Sequence, residues 1–435
     1  MRWMVYQDSM LEFRFNIFYF GGDVKVMRRL SNKDWVTMLS GFFFLFSVSL
    51  SSADIDQMRL DAIAADMQSR IDEERLSGAV LMIAQDGELQ MNKTFGYQNV
   101  EDQVPMAMDT IFRIFSMTKP ITGTALMILH DEGKFQLSDP VSKYIPELAD
   151  VKVFTESDAG GNMLTEAANH EMTVQELMTH TGGIMYVPPL SSGPVAQAMI
   201  AAGIMRPDIS LADQIDSLGE LPLGYQPGSQ WEYSYSVDVQ GYLVEVLSAQ
   251  TFDDFLEQRI FEPLGMVDTG FFVPVDKAHR FARQYNQAAT GGLMRTDTGQ
   301  FLIKPKFFSG GGGLTSTASD YMKFAQMHLN TGELDGVRIL SEDAIAIMRS
   351  NLLPEGIDNI ANIYPGNVFG VDFAVVSDSA AFNGAPEGTH WWWGIAGSWF
   401  WVDPVQNIVF VGMIQNDNVF YSIQTHAAMR ELLYN

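Results

Sequence analysis

Strand patterns stand at the two ends of this chain and are scarce in its middle, which limits the folds open to it. Near one end, SGAVLMIAQDGELQMNKTFGYQNV reads as two strands joined at Asp86-Gly87, a dipeptide suited to a tight hairpin. Near the other, GSWFWVDPVQN and IVFVGMIQN alternate strand and turn before THAAMRELLY closes the chain as a helix. Residues 150–300 look mainly helical with long loops, as in TVQELMTH and VQGYLVEVLSAQ. The pattern predicts one α/β lobe built from both ends, over 54–149 and 301–435, with an all-helical lobe inserted over 150–300. Neither internal repeats nor low-complexity linkers interrupt it.

At 435 residues and 47% hydrophobic content, the chain is long enough for a large core. Its net charge of −26 repels phosphate backbones and argues against nucleic-acid binding. The absence of cysteine excludes disulfides, thiolate metal sites and a cysteine nucleophile. Residues 1–53 read as a leader. Met27-Arg28-Arg29 opens a basic region, MLSGFFFLFSVSL (38–50) is a short apolar run, and Ser51-Ser52-Ala53 is a small-x-small site. That order is the one a secretory signal peptide has, and it predicts export to the periplasm or medium with no stable membrane insertion after cleavage. Met27 fits the start of such a signal better than Met1.

The stretch IFSMTKPITG (114–123) sets Ser116 three residues before Lys119. On a helix these positions share a face, so the amine reaches the hydroxyl. Pro120 lacks an N–H and is tolerated only near a helix start. It therefore places Ser116 at a helix N-terminus, where the dipole favours developing negative charge. The same spacing also suits a capping serine beside a solvated lysine. A nucleophilic serine needs a base, and the seven histidines offer no obvious pairing with it. There is no G-x-S-x-G elbow. A lysine aided by a tyrosine is the alternative, and Tyr233 and Tyr235 stand ready in PGSQWEYSYSVDVQGYLVEVL. The glycine run Gly310–Gly313 lacks a following G-K-[ST] and reads as a flexible turn, not a phosphate cradle.

With these segments the chain resembles the serine β-lactamase and penicillin-binding-protein superfamily. It is most similar to class C β-lactamases and family VIII carboxylesterases. The resemblance runs through IFRIFSMTKPITGTALMILHDEGKFQLSDPVSKYIPEL, TVQELMTHTGGI, LPLGYQPGSQWEYSYSVDVQGYLVE, FFSGGGGLTSTASDYMKFAQMHLN and WWWGIAGSWFWVDP, in that order. It implies an antiparallel sheet flanked by helices, a helical lobe and a site in the cleft between. It also implies that Ser116 and Lys119 form the S-x-x-K pair, and that Tyr233 is the proton-transfer tyrosine. The third motif falls on Trp392-Trp393-Gly394, with Trp392 where β-lactamases carry lysine. Tyr235 replaces their asparagine.

The resemblance thus implies a serine hydrolase that cleaves short-chain carboxylic esters through an acyl-enzyme on Ser116. Lys119 and Tyr233 would move the proton, and the backbone N–H groups of Ser116 and Ile395 would form the oxyanion hole. Tyr235, Trp392, Trp393 and Gly394 would bind substrate, with tryptophans 391–393 as an apolar wall. No cofactor or metal is needed, and the partner is a small-molecule ester or amide. The alternatives are a β-lactamase or D-amino-acid peptidase using the same residues, and a non-catalytic sensor of the same fold.

Overall fold

Asp86 and Gly87 both take positive φ, 51° and 82°, the backbone of a two-residue hairpin turn. In the computed structural model of this protein they join β1 (Gly78–Gln85) to β2 (Glu88–Asn99). The structure describes residues 54–435, apart from 207, 289–290, 358–359 and 361–363. The expected leader lies outside the described residues. β3 (Val104–Pro105) follows β2. The remaining strands of the sheet come from the far end of the chain: β4 (Asn367–Phe369), β5 (Ala374–Val376), β6 (His390–Trp393), β7 (Trp399–Asp403) and β8 (Ile408–Met413). The sheet order is β4-β5-β6-β7-β8-β1-β2-β3, and every pairing is antiparallel. The two ends meet where β1 pairs with β8, with Val80 opposite Met413.

Helices cover both faces of this sheet, and the side chains of β7 show why its strands read as continuous apolar runs. Trp399 and Trp401 point to one face, where they meet His426 and Tyr434 of α5 (Val419–Tyr434). Phe400 points to the other face, where its ring lies 5.0 Å from Tyr321 of α4 (Ala318–Leu329). β1 and β8 are accordingly buried at every position. Gly412 of β8 sits under the Trp399 indole, and a Cβ there would come within 2.1 Å of that ring. α1 (Gln57–Asp72) begins at Asp56, whose carboxylate caps the Met58 amide, and buries Leu60, Ile63 and Met67. It lies beside α5, where Arg70 donates to the Thr425 hydroxyl.

The middle of the chain departs from the all-helical expectation. It holds the helices Val174–Met178, Pro194–Ala202 and Leu211–Gly219 and the longer α3 (Ser236–Ser248). It also holds two hairpins, Lys152–Ser157 with Met163–Ala167 and Tyr285–Gln287 with Leu293–Arg295. The first of these is mostly exposed, so no buried face imprints an alternating pattern on it. Asp158 forms its turn by accepting from the amides of Gly160 and Asn162.

α2 (Thr118–Asp131) joins the two regions. It is buried from Thr118 to Leu129 without a polar face, as a helix enclosed on all sides must be. Among the described residues, no helix is long and apolar enough to cross a membrane.

Candidate active site

Ser116 lies in the 3-10 turn Phe115–Met117, which runs directly into α2. Pro120 is the third residue of that helix, inside the first turn, where its missing N–H breaks no bond. Phe115 takes φ 41°, an uncommon backbone for a bulky residue. Strain of this kind persists where the surrounding packing over-determines it, often at a functional site.

Lys119, the second residue of α2, is fully buried. Its Nζ lies 2.6 Å from the Gly311 carbonyl, 3.1 Å from the Tyr186 hydroxyl and 3.4 Å from Ser116 Oγ. Burial pushes this amine down to about 7, against the pull of the Asp238 and Asp372 carboxylates. Near neutral pH, then, a good share of the lysine is a free amine. Two N–H donors aimed at Gly311 and Tyr186 leave its lone pair for the serine proton.

Tyr233 completes the group. Its hydroxyl hydrogen-bonds Ser116, and it accepts from the Trp392 indole N–H at 3.1 Å. Lys119 Nζ lies 4.4 Å from the centre of its ring. Burial holds the phenol well above its usual range, opposed by those two hydrogen bonds. Tyr233 is therefore a neutral donor at rest. His180 packs against it with ring centres 4.8 Å apart, and bonds the Ser234 hydroxyl through Nδ1. That supports a structural role for the Thr179–Gly183 stretch.

The chain after β6 closes the site from the other side. A Cβ on Gly394 would lie 2.2 Å from the Ile114 carbonyl, so only glycine lets this strand end approach the serine turn. Ile395 follows, and it lines the same cavity as Ser116. That cavity measures about 750 Å³ and is largely apolar, with Phe115, Tyr186, Tyr235, Phe271, Phe301 and Phe307 on its walls. Tyr235, read from the sequence as substrate-binding, lines this cavity with its hydroxyl turned to the Met205 sulfur.

The tryptophans are not on the wall, which corrects the reading of Trp392, Trp393 and Gly394 as substrate-binding residues. β6 alternates. Trp391 turns to one face, donating to Asn367 at 2.8 Å, and Trp393 turns to the same face, toward Tyr364 and His426. Trp392 turns to the other face, against Phe369 and Tyr233. Both faces of the sheet are covered, so three consecutive indoles become core or half-buried packing instead of a surface. Gly394 acts by its small size against Ile114.

Three contributors escaped sequence reasoning. Tyr186 comes from the loop after Gly183 and carries no motif of its own. Asp238, in the first turn of α3, accepts from the Ser309 hydroxyl at 2.5 Å and the Gly311 amide at 3.1 Å. It thereby fixes the glycine run that offers the Gly311 carbonyl to Lys119, so that run is a positioned ligand and not merely a turn. Asp372, with φ 60°, lies buried beside Gly123 on the same helix as Lys119.

A family model described as Beta-lactamase matches residues 61–433. The chain belongs to the β-lactamase family. Protein Rv1367c of Mycobacterium tuberculosis is 36% identical over 370 residues, 82% of this chain and 90% of that protein. Esterase EstB of Burkholderia gladioli is 29% identical over 381 residues, 81% of this chain and 91% of that protein. Among solved structures, EstCE1, a hydrolase with promiscuous acyltransferase activity, is similar at 25% identity with a TM-score of 0.74. The match covers 87% of this chain and 99% of that one. This member of the β-lactamase family is a serine hydrolase, with the sheet, flanking helices and mixed α/β fold of its relatives.

Proposed function

We propose that the protein is a carboxylesterase that forms an acyl-enzyme on Ser116. The observation that carries the proposal is the buried Lys119 amine, 3.4 Å from Ser116 Oγ and pushed down to about 7 by its burial. Ser116 Oγ attacks the ester carbonyl as Lys119 takes its proton. The backbone N–H groups of Ser116 and Ile395 receive the developing oxyanion. Tyr233 donates its proton to the leaving alkoxide and becomes a phenolate, held by the Trp392 N–H and the adjacent ammonium. In the second half, water gives a proton to the tyrosinate and its oxygen attacks the acyl carbonyl; the acid departs as Lys119 returns its proton to Ser116 Oγ.

Trp392 favours esters over β-lactams. It stands at the lysine position of the third motif, and its N–H is already given to Tyr233, so the carboxylate of a β-lactam meets no ammonium there. The relative named an esterase supports the same reading. The cavity is of a size that holds drug-sized molecules, so short acyl chains enter it with room to spare.

The test is labelling with a fluorophosphonate, read by intact mass, alongside turnover of p-nitrophenyl butyrate and nitrocefin. We expect one adduct, absent in Ser116→Ala, and a kcat/KM for the ester well above that for nitrocefin. Undiminished labelling of Ser116→Ala, or faster nitrocefin turnover, would overturn the assignment. We also propose export to the periplasm or medium, from the basic, apolar and small-residue order of residues 27–53. N-terminal sequencing of the mature protein should then begin at or near Asp54, and a retained apolar segment would refute this.

A further inference from the structure

The cavity beside Ser116 carries four charged residues, and three of them have partners. Asp238 is held by Ser309 and Gly311, Lys304 by Asp253 at 2.9 Å, and Asp208 by Arg206 at 3.6 Å. Lys306 is different. It is exposed and makes no ion pair among the described residues, although Asp213 lies within reach of its field. It belongs to the segment 300–307, whose residues, Leu302 excepted, all line the cavity.

The apolar lining does not stop at the mouth. Leu190, Met205, Ile303 and Ile395 line the cavity and are exposed there. Exposed apolar residues rimmed by charge mark a surface that meets a ligand. The chain as a whole carries 26 more acidic than basic residues, while the cavity lining carries two of each, so Lys306 stands at a locally neutral opening on an acidic protein.

We propose that the site takes esters in which a large apolar group fills the cavity and ends in an anionic group, which pairs with Lys306. This rests on the carboxylesterase reading and extends it to a substrate class. The apolar body is held by the phenyl rings of Phe271, Phe301 and Phe307. The charge stays in the solvated mouth, so it is not stripped of water to bind. An ammonium on a flexible stem suits such an end group, because it can follow chains of different length. The same lysine gives nothing to a neutral ester, which offers it no charge to pair with.

The experiment compares substrates that differ by one charge. In an acyl series these are p-nitrophenyl hydrogen sebacate and its methyl-capped ester. In an alcohol series they are 10-acetoxydecanoic acid and its methyl ester. In one of the two series, wild type should prefer the acid by about two- to fivefold in kcat/KM at low salt, the range of an exposed ion pair. The ratio should fall to one or below in Lys306→Met, which keeps the apolar stem, and reverse in Lys306→Glu. It should also shrink as salt is raised. No preference in either series, or a preference that survives Lys306→Met, overturns the proposal.

A binding arm separates this outcome from failure of the esterase reading. Sebacic acid monoanilide and its methyl ester, neither of them an activated ester, are titrated into Ser116→Ala by calorimetry, with and without Lys306→Met. If wild type hydrolyses no ester, the esterase reading fails, and the acid-over-methyl binding ratio still decides the role of Lys306. A ratio above one that is lost with Lys306→Met supports it, and a ratio of one or below refutes it.

Discussion

Replacing Trp392 with phenylalanine removes one N–H and keeps an aromatic ring against Phe369 and Tyr233. That N–H donates to the Tyr233 hydroxyl at 3.1 Å in a site where Lys119 is buried and Tyr233 half-buried. If Tyr233 gives its proton to the leaving group, its oxygen gains negative charge in the transition state. A hydrogen bond to a charged group contributes about 1.5–3 kcal/mol, against about 0.5–1.5 for a neutral one. Only the difference, about 1–1.5 kcal/mol, is lost from the transition state relative to the resting enzyme, and at about 1.4 kcal/mol per factor of ten this is about 5- to 12-fold in kcat/KM. The size of the loss depends on the leaving group. An ethoxide must be protonated to depart, whereas p-nitrophenolate leaves unaided. Trp392→Phe should therefore cost the full factor with ethyl butyrate, followed by pH-stat titration, and little with p-nitrophenyl butyrate. Thermal unfolding guards the comparison, since trimming a buried indole also costs about 1–3 kcal/mol of stability. A loss under about threefold on the ethyl ester, in a variant still folded at the assay temperature, would refute the assignment of Tyr233 as the acid.

Tyr233→Phe keeps the ring and deletes the hydroxyl, and should lower kcat by about a thousandfold or more, the scale of general acid–base catalysis. The parallel Tyr235→Phe should cost far less; if it is the crippled variant, the motif is misaligned by two residues. The pH dependence follows from Lys119. Its amine is depressed to about 7 by burial, so below that pH it is an ammonium and cannot accept the serine proton. kcat/KM should rise as pH increases through about 7, and Tyr233, held high by its burial, should cause no fall just above that. A profile that is flat or falling between about 6 and 8 would mean that Lys119 is not the base.

Ser116 and Lys119 were legible in the sequence because they sit three residues apart and local helical winding, a 3-10 turn running into α2, brings them together. The sheet built from both ends was legible for a related reason: its central strands β1, β7 and β8 are buried on both faces and so carry largely apolar runs. Asp86-Gly87 specified its hairpin by its own backbone preference. None of these inferences required knowing which distant segments meet. The rest of the site depends on that knowledge. Tyr186 reaches Lys119 across 67 residues, the Trp392 indole reaches Tyr233 across 159, and the Gly311 carbonyl reaches Lys119 across 192. Side chains at such separations meet only when loops, strand ends and helices dock, and a chain records no direct signal of that docking. The tryptophan run shows the difference clearly. As a sequence it reads as an apolar wall of the substrate site. In the fold, strand alternation and helices on both faces turn Trp391 and Trp392 into the core and leave Trp392 with one N–H to give, which it gives to Tyr233.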